Sequence, residues 1–124
     1  MSKLEKSVTA DIRRVLEHLE SVGCILWHER LNSGKVRTEY GGYVQLCRMG
    51  TPDYIVALRT TMGLLILFIE AKSDTGKQSI QQVEFQRKHQ TWAIYMVAKD
   101  VLSVKNKIES LTNFYRDKLA SIDL

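Results

Sequence analysis

The chain has 124 residues, a net charge of +4 and 44% hydrophobic residues, with a single proline and two cysteines. That is enough for one domain with its own core, and the composition is that of a globular protein with neither repeats nor low-complexity tracts. Cys24 and Cys47 are too few for a disulfide framework or a zinc site and fit a reducing, intracellular compartment. No apolar run approaches the roughly 20 residues of a membrane span, and the N-terminus lacks the apolar core of a signal peptide. A cytoplasmic protein without a membrane partner is expected. Its positive balance leans towards a polyanion.

In chain order, residues 3 to 22 carry Leu4, Val8, Ile12, Val15, Leu19 and Val22 at three- and four-residue spacing, which predicts an amphipathic helix stopped at Gly23. Ser2 and Glu5 have the spacing of a capping box at its start. Residues 24 to 30 read as a strand, 32 to 42 as a loop rich in glycine and polar side chains, and 43 to 47 as a short strand. Residues 54 to 58 and 64 to 71 read as two strands around a turn at 59 to 63. The second is apolar on both faces, so a central, covered strand is expected. Ser79 caps a helix over 80 to 90, residues 93 to 98 form another buried strand, and Asp100 opens a last helix reaching about 119. This order predicts an α/β fold, a mixed sheet flanked by helices.

Asp53 and Glu70 lie in or beside apolar runs, where a charged carboxylate costs several kcal/mol unless something compensates it. A hairpin centred near residue 61 sets residue 53 opposite 69 and residue 70 opposite 52, within one step of register. Facing positions on paired strands are roughly 4.5–5.5 Å apart at Cβ, so the two acids are expected side by side. Strand alternation puts Lys72 on the face of Glu70 and turns Ala71 away. Pro52 lacks an N–H and suits the start of a strand. Two carboxylates with positions left for water and phosphate suit magnesium or manganese, with a lysine to hold phosphate or orient water. The same residues also read as a solvated salt bridge at a strand end.

Gly50-Thr51-Pro52-Asp53 followed by Glu70-Ala71-Lys72 resembles the PD-(D/E)XK nuclease superfamily. The run from Lys72 through Gly76 and Ser79 to Gln82, and the upstream segment from Trp27 to Gly34, are similar to its VRR-NUC branch. The resemblance covers roughly residues 5 to 98. It implies a restriction-endonuclease-like core (αβββαβ) and a magnesium- or manganese-dependent DNA endonuclease. Asp53, Glu70 and the Ala71 backbone carbonyl would hold the metal, Lys72 would assist the water, and Gln82 would lie over the site. Gln82 equally completes a capping box with Ser79. Asp11 is the first-helix acid that the family spacing to Gly23 favours, with Glu5 as the other candidate.

His18, His28 and His89 have no metal-ligand spacing, and Trp27 and Trp92 read as core residues rather than base-stacking platforms. Lys35, Arg37, Arg48, Lys77 and Arg87, with Lys88, form a basic set for DNA phosphates. Lys105, Lys107, Arg116 and Lys118, mixed with Glu109 and Asp117, read as an ordinary exposed helix face. Stand-alone members of the branch resemble viral or mobile-element nucleases that act on branched DNA, so a four-way junction and a homodimer are the expected substrate and acting form. Flaps, nicks or simple duplex are alternative substrates, and a non-catalytic DNA-binding module on this fold is the alternative class.

Overall fold

The first helix, α1, spans Lys3–Ser21. A computed structural model describes residues 3–31, 35–45, 47–60 and 63–120, apart from the side chains of Lys3, Lys35, Gln45 and residues 113–120. Ser2 of the expected capping box, Asn32 to Gly34, and the side chains of Arg116, Asp117 and Lys118 therefore lie outside the described set. Helix α1 ends at Gly23, whose φ of +80° is the left-handed conformation that a terminating glycine adopts without strain. Its buried residues are Ile12, Leu16, Leu19 and Thr9, whereas Leu4 and Val22 are exposed. At 100° per residue the buried stripe is thus turned roughly 65° towards Glu5 from the stripe expected from the sequence.

Strand β1 spans Trp27–Arg30, β2 Lys35–Arg37, β3 Tyr43–Gln45, β4 Tyr54–Thr60 and β5 Gly63–Ala71. They are followed by α2 at Ile80–His89, β6 at Ile94–Ala98 and α3 at Val101–Ala120. The main sheet has the order β1-β4-β5-β6, antiparallel except for the parallel β5–β6 pair. Strands β2 and β3 pair with each other in a separate ribbon, so part of the expected loop over 32 to 42 is a strand. Strand β4 runs to Thr60, two residues beyond expectation, which shortens the turn.

Helices α1 and α3 cover one face of the sheet. Ile12, Leu16 and Leu19 of α1 and Val104 and Ile108 of α3 pack with Tyr54, Val56, Leu58, Leu67, Ile69 and Ala71 of β4 and β5. Each fully buried Leu or Ile there contributes roughly 1.5–3 kcal/mol. The alternate residues face α2, where Phe68 meets Phe85 edge-on at 5.2 Å. Helix α2 buries no residue fully. The chain is therefore an α/β protein with a mixed sheet flanked by helices, and no helix among the described residues is long and apolar enough to cross a membrane.

Candidate active site

Asp53 is held from three directions. The β4–β5 register pairs Tyr54 with Ile69, and one further step sets Asp53, just before β4, opposite Glu70. The amide of Leu31, just after β1, donates to the Asp53 carbonyl at 2.8 Å. The amide of Ala71 donates to Asp53 Oδ2 at 2.7 Å, which ties the side chain to the end of β5. In an extended strand a residue's N–H and C=O point to the same neighbour, so the Ala71 carbonyl faces Asp53 as well. Upstream, Gly50 has φ +91°, and a Cβ there would collide with the backbone carbonyl of Gln81. Only glycine lets this loop lie against the first turn of α2 and deliver the buried Pro52 and then Asp53 into the site.

Glu70 is fully buried, and neither of its carboxylate oxygens has a hydrogen-bond partner. Tyr95, on the neighbouring strand β6, is in the same condition at its hydroxyl. Tyr95 and Gln78 face the Glu70 carboxylate without reaching hydrogen-bond geometry. Burial pushes the Glu70 carboxyl above its ordinary range, against the pull of the Lys72 ammonium. Burial raises Asp53 too, offset by the Ala71 amide and by the charges of Arg30 and Lys72. The Tyr95 hydroxyl is raised well above its ordinary value by burial and by the Glu70 charge. Two carboxyl groups are thus held where they resist ionisation, with Lys72 beside them at 9% exposure.

Of the residues named from the sequence, the structure gathers Asp53, Glu70, Ala71 and Lys72. The first-helix acid beside them is Glu5, not Asp11. Glu5 Oε1 lies 3.9 Å from Lys72 Nζ, with both side chains largely covered. Asp11 sits on another face of α1 and pairs with Arg14 at 3.0 Å in solvent. The rotation of the buried stripe explains the difference: docking on Leu16 and Thr9 instead of Leu4 and Val22 turns Glu5 inward and Asp11 outward.

Gln82 spends its side chain on the cap. Its Oε1 accepts from the Ser79 amide at 2.7 Å, and its own amide donates to Ser79 Oγ at 3.2 Å. Gln78, four residues earlier and unnamed in the sequence reading, is the glutamine that faces Glu70, while its Nε2 donates to Gln86. Tyr95 was missed as well, because a tyrosine in an apolar strand carries no local sign of the charge packed against it. Of the basic set, Arg37, Arg48, Lys77 and Arg87 are exposed, and Arg48 and Lys88 line a cleft between residues 47–51 and α2. The Lys35 side chain lies outside the described residues.

Trp27 and Trp92 are 44% and 58% exposed, so neither is a core residue. Trp27 opens β1, and Trp92, between α2 and β6, stands edge-on to Phe68 at 5.7 Å. His28 pairs with Glu20 at 3.0 Å, as a structural histidine does. Lys105, Lys107 and Glu109 on α3 are exposed as expected.

No protein-family model, no curated protein and no solved structure matches this chain. Among the described residues no three His, Cys, Asp or Glu side chains come together as a chelating group. The buried and unpartnered oxygens of Glu70, beside Asp53 and an inward-facing carbonyl, are nevertheless what a hard cation with few protein ligands requires. Magnesium and manganese fill their remaining positions with water and phosphate oxygens.

Proposed function

We propose that the chain is a divalent-metal-dependent endonuclease on a restriction-endonuclease-like core, of the PD-(D/E)XK superfamily and its VRR-NUC branch, acting on DNA phosphodiesters. The observation that carries this reading is the fully buried Glu70 carboxylate, without a hydrogen-bond partner, next to Asp53 and Lys72. An acid in that position is a standing cost to the fold, and a bound cation offsets it. Asp53, Glu70 and the Ala71 carbonyl would hold magnesium or manganese, which supplies positive charge to polarise a phosphoryl oxygen and acidify a water. Lys72 would hold a phosphate oxygen or orient the attacking water, with Glu5, 3.9 Å from its ammonium, to steady it. Gln78 and Tyr95 close the far side of Glu70.

For the substrate we propose branched DNA, a four-way junction first, cut by a homodimer. With +4 net charge, binding to plain duplex is modest and salt-sensitive, so shape has to supply discrimination. Two symmetric strands call for two sites held by a two-fold axis. Exposed apolar residues on the β2–β3 ribbon, Val36, Tyr43 and Val44, offer surface for a second copy.

The test is a cleavage assay on labelled junction, flap, single strand and linear duplex with magnesium, manganese or chelator. The junction is expected to be cut only with metal, and Glu70→Gln and Lys72→Ala to lose roughly 10²–10³-fold or more, the scale of removing one catalytic electrostatic group. Cutting by Glu70→Gln at the wild-type rate would overturn the nuclease assignment. Equal cutting of junction and linear duplex near physiological salt would overturn the substrate, and a monomer in sedimentation the dimer.

A further inference from the structure

Next to Asp53, on the α1 side of the sheet, lies a cavity of about 320 Å³ lined by Lys6, Thr9, Ala10, Arg13, Arg30 and Tyr54. Three of its six lining residues are cations and none is an acid. On α1, Lys6, Thr9, Ala10 and Arg13 fall on one side of the helix, flanking Glu5 at 100° per residue. The floor is rigid. Tyr54 is 1% exposed and its hydroxyl donates to the Thr9 carbonyl at 3.3 Å, while Thr9 Oγ1 donates to the Glu5 carbonyl at 2.8 Å. Arg30 reaches from β1, near enough for its charge to act on both Asp53 and Tyr54, and that of Arg13 acts on Tyr54 as well. From the rim Glu17 meets Arg13 at 3.8 Å, a long pair with both side chains more than half exposed. An incoming anion displaces such a pair at little cost.

We infer that this cavity is a phosphate subsite, in which Lys6, Arg13 and Arg30 hold a nucleic-acid backbone phosphate adjacent to the one that meets Asp53 and Glu70. The identity of the occupant rests on the nuclease reading; the capacity to hold a phosphate does not. Two guanidinium groups and an ammonium lining one cavity match the bidentate and point-charge recognition of phosphate oxygens. Arg30, shared between cavity and Asp53, couples the two: a strand anchored in the subsite brings its next phosphate to the carboxylates. The contact positions the strand and carries no sequence information.

The test uses the full chain without a cleavable readout. Inorganic phosphate titrated without metal is expected to shift the backbone amide resonances of Thr9, Ala10, Arg13 and Arg30 saturably, and Lys6→Gln/Arg13→Gln to abolish the shifts. Both side chains are exposed, so the variant is expected to fold, which its melting curve verifies. Next, junction DNA with one methylphosphonate linkage moved along each strand is bound in calcium or EDTA. One neutral linkage is expected to weaken wild-type binding ~10-fold, the size of one hydrogen bond to a charged group. In Lys6→Gln/Arg13→Gln the same linkage has no further effect, and the salt slope falls by about one per cation removed. Absence of saturable shifts at these residues overturns the subsite whether or not DNA is cut. Shifts without any position-dependent methylphosphonate effect overturn the backbone phosphate as occupant. Failure of metal-dependent cleavage, with both binding results obtained, falls on the nuclease reading alone.

Discussion

The two faces of the main sheet do different work with the same strands. Towards α1 and α3 the residues of β4 and β5 alternate into a dry cluster in which Leu67, Ile69, Val56 and Leu58 are all fully buried. Towards α2 strand β5 presents Phe68 and Glu70, and the covering helix buries nothing completely. One face therefore has apolar surface to spare, and the other buries a carboxyl group that accepts no hydrogen bond. Free energy gained on the first face lets the second hold Glu70 where it is least stable, which is how strained functional groups persist in a fold.

Leu67→Ala is the largest break in this contrast. It leaves a cavity in the helix-covered face and is expected to cost ~2–5 kcal/mol in urea unfolding, whereas Val83→Ala on exposed α2 stays within roughly 0.5 kcal/mol. Comparable losses for the two would mean that α2 contributes a core of its own. Gly50→Ala is next, because it forces both a left-handed backbone and a collision with the Gln81 carbonyl. A loss of roughly 1–3 kcal/mol is expected, together with weaker divalent-cation binding by calorimetry, since the loop delivers Asp53.

Glu70→Gln is expected to act in the opposite direction. Asp53 and Glu70 titrate above their ordinary values of 3.8 and 4.5 when folded, so the folded chain holds more protons than the unfolded one over the interval between. Their contribution to stability is whole below those values and is lost as pH rises through the raised folded ones. Metal-free Glu70→Gln should therefore melt like the wild type in acid and roughly 2–6 °C higher near neutral pH. Adding magnesium or manganese at neutral pH should raise the wild-type melting temperature and not that of the variant. Equal metal-free melting curves at neutral pH would show that Glu70 carries no burial cost.

The smallest effect separates capping from chemistry on α2. Ser79→Ala is expected to cost about 1 kcal/mol. Gln82→Ala should reduce any nuclease activity no more than Ser79→Ala does, because Gln82 already serves the cap. A larger loss from Gln82→Ala would give it a direct part.

Local pattern made most of the fold legible. Period-3.6 spacing placed α1, Ser79 and Asp100 marked the starts of α2 and α3, and the apolar run at 64 to 71 marked the central strand because a strand covered on both sides has no polar face to show. Strand β2 escaped, since Val36 is solvent-exposed and leaves no buried alternation to read, whereas β3 falls within the short strand expected at 43 to 47. At the site, the Asp53–Glu70 pairing followed from hairpin register, which chain length through the turn constrains to within a residue. The same spacing could not show Gln78 and Tyr95, which meet Glu70 only through the parallel β5–β6 crossover.

By itself the sequence determined the α/β class, the strand that carries Glu70 and Lys72, and the convergence of Asp53 on it, because each depends on neighbours along the chain or across one turn. Only the tertiary structure decided which helix acid is inside. Glu5 and Asp11 flank the α1 stripe almost symmetrically, and a helix offers several rotations of similar hydrophobicity. The choice fell to packing: Leu16 and Thr9 fit the sheet while Leu4 and Val22 stay in water. That turn of the helix sets Glu5 against Lys72 and opens the Lys6–Arg13–Arg30 cavity beside Asp53.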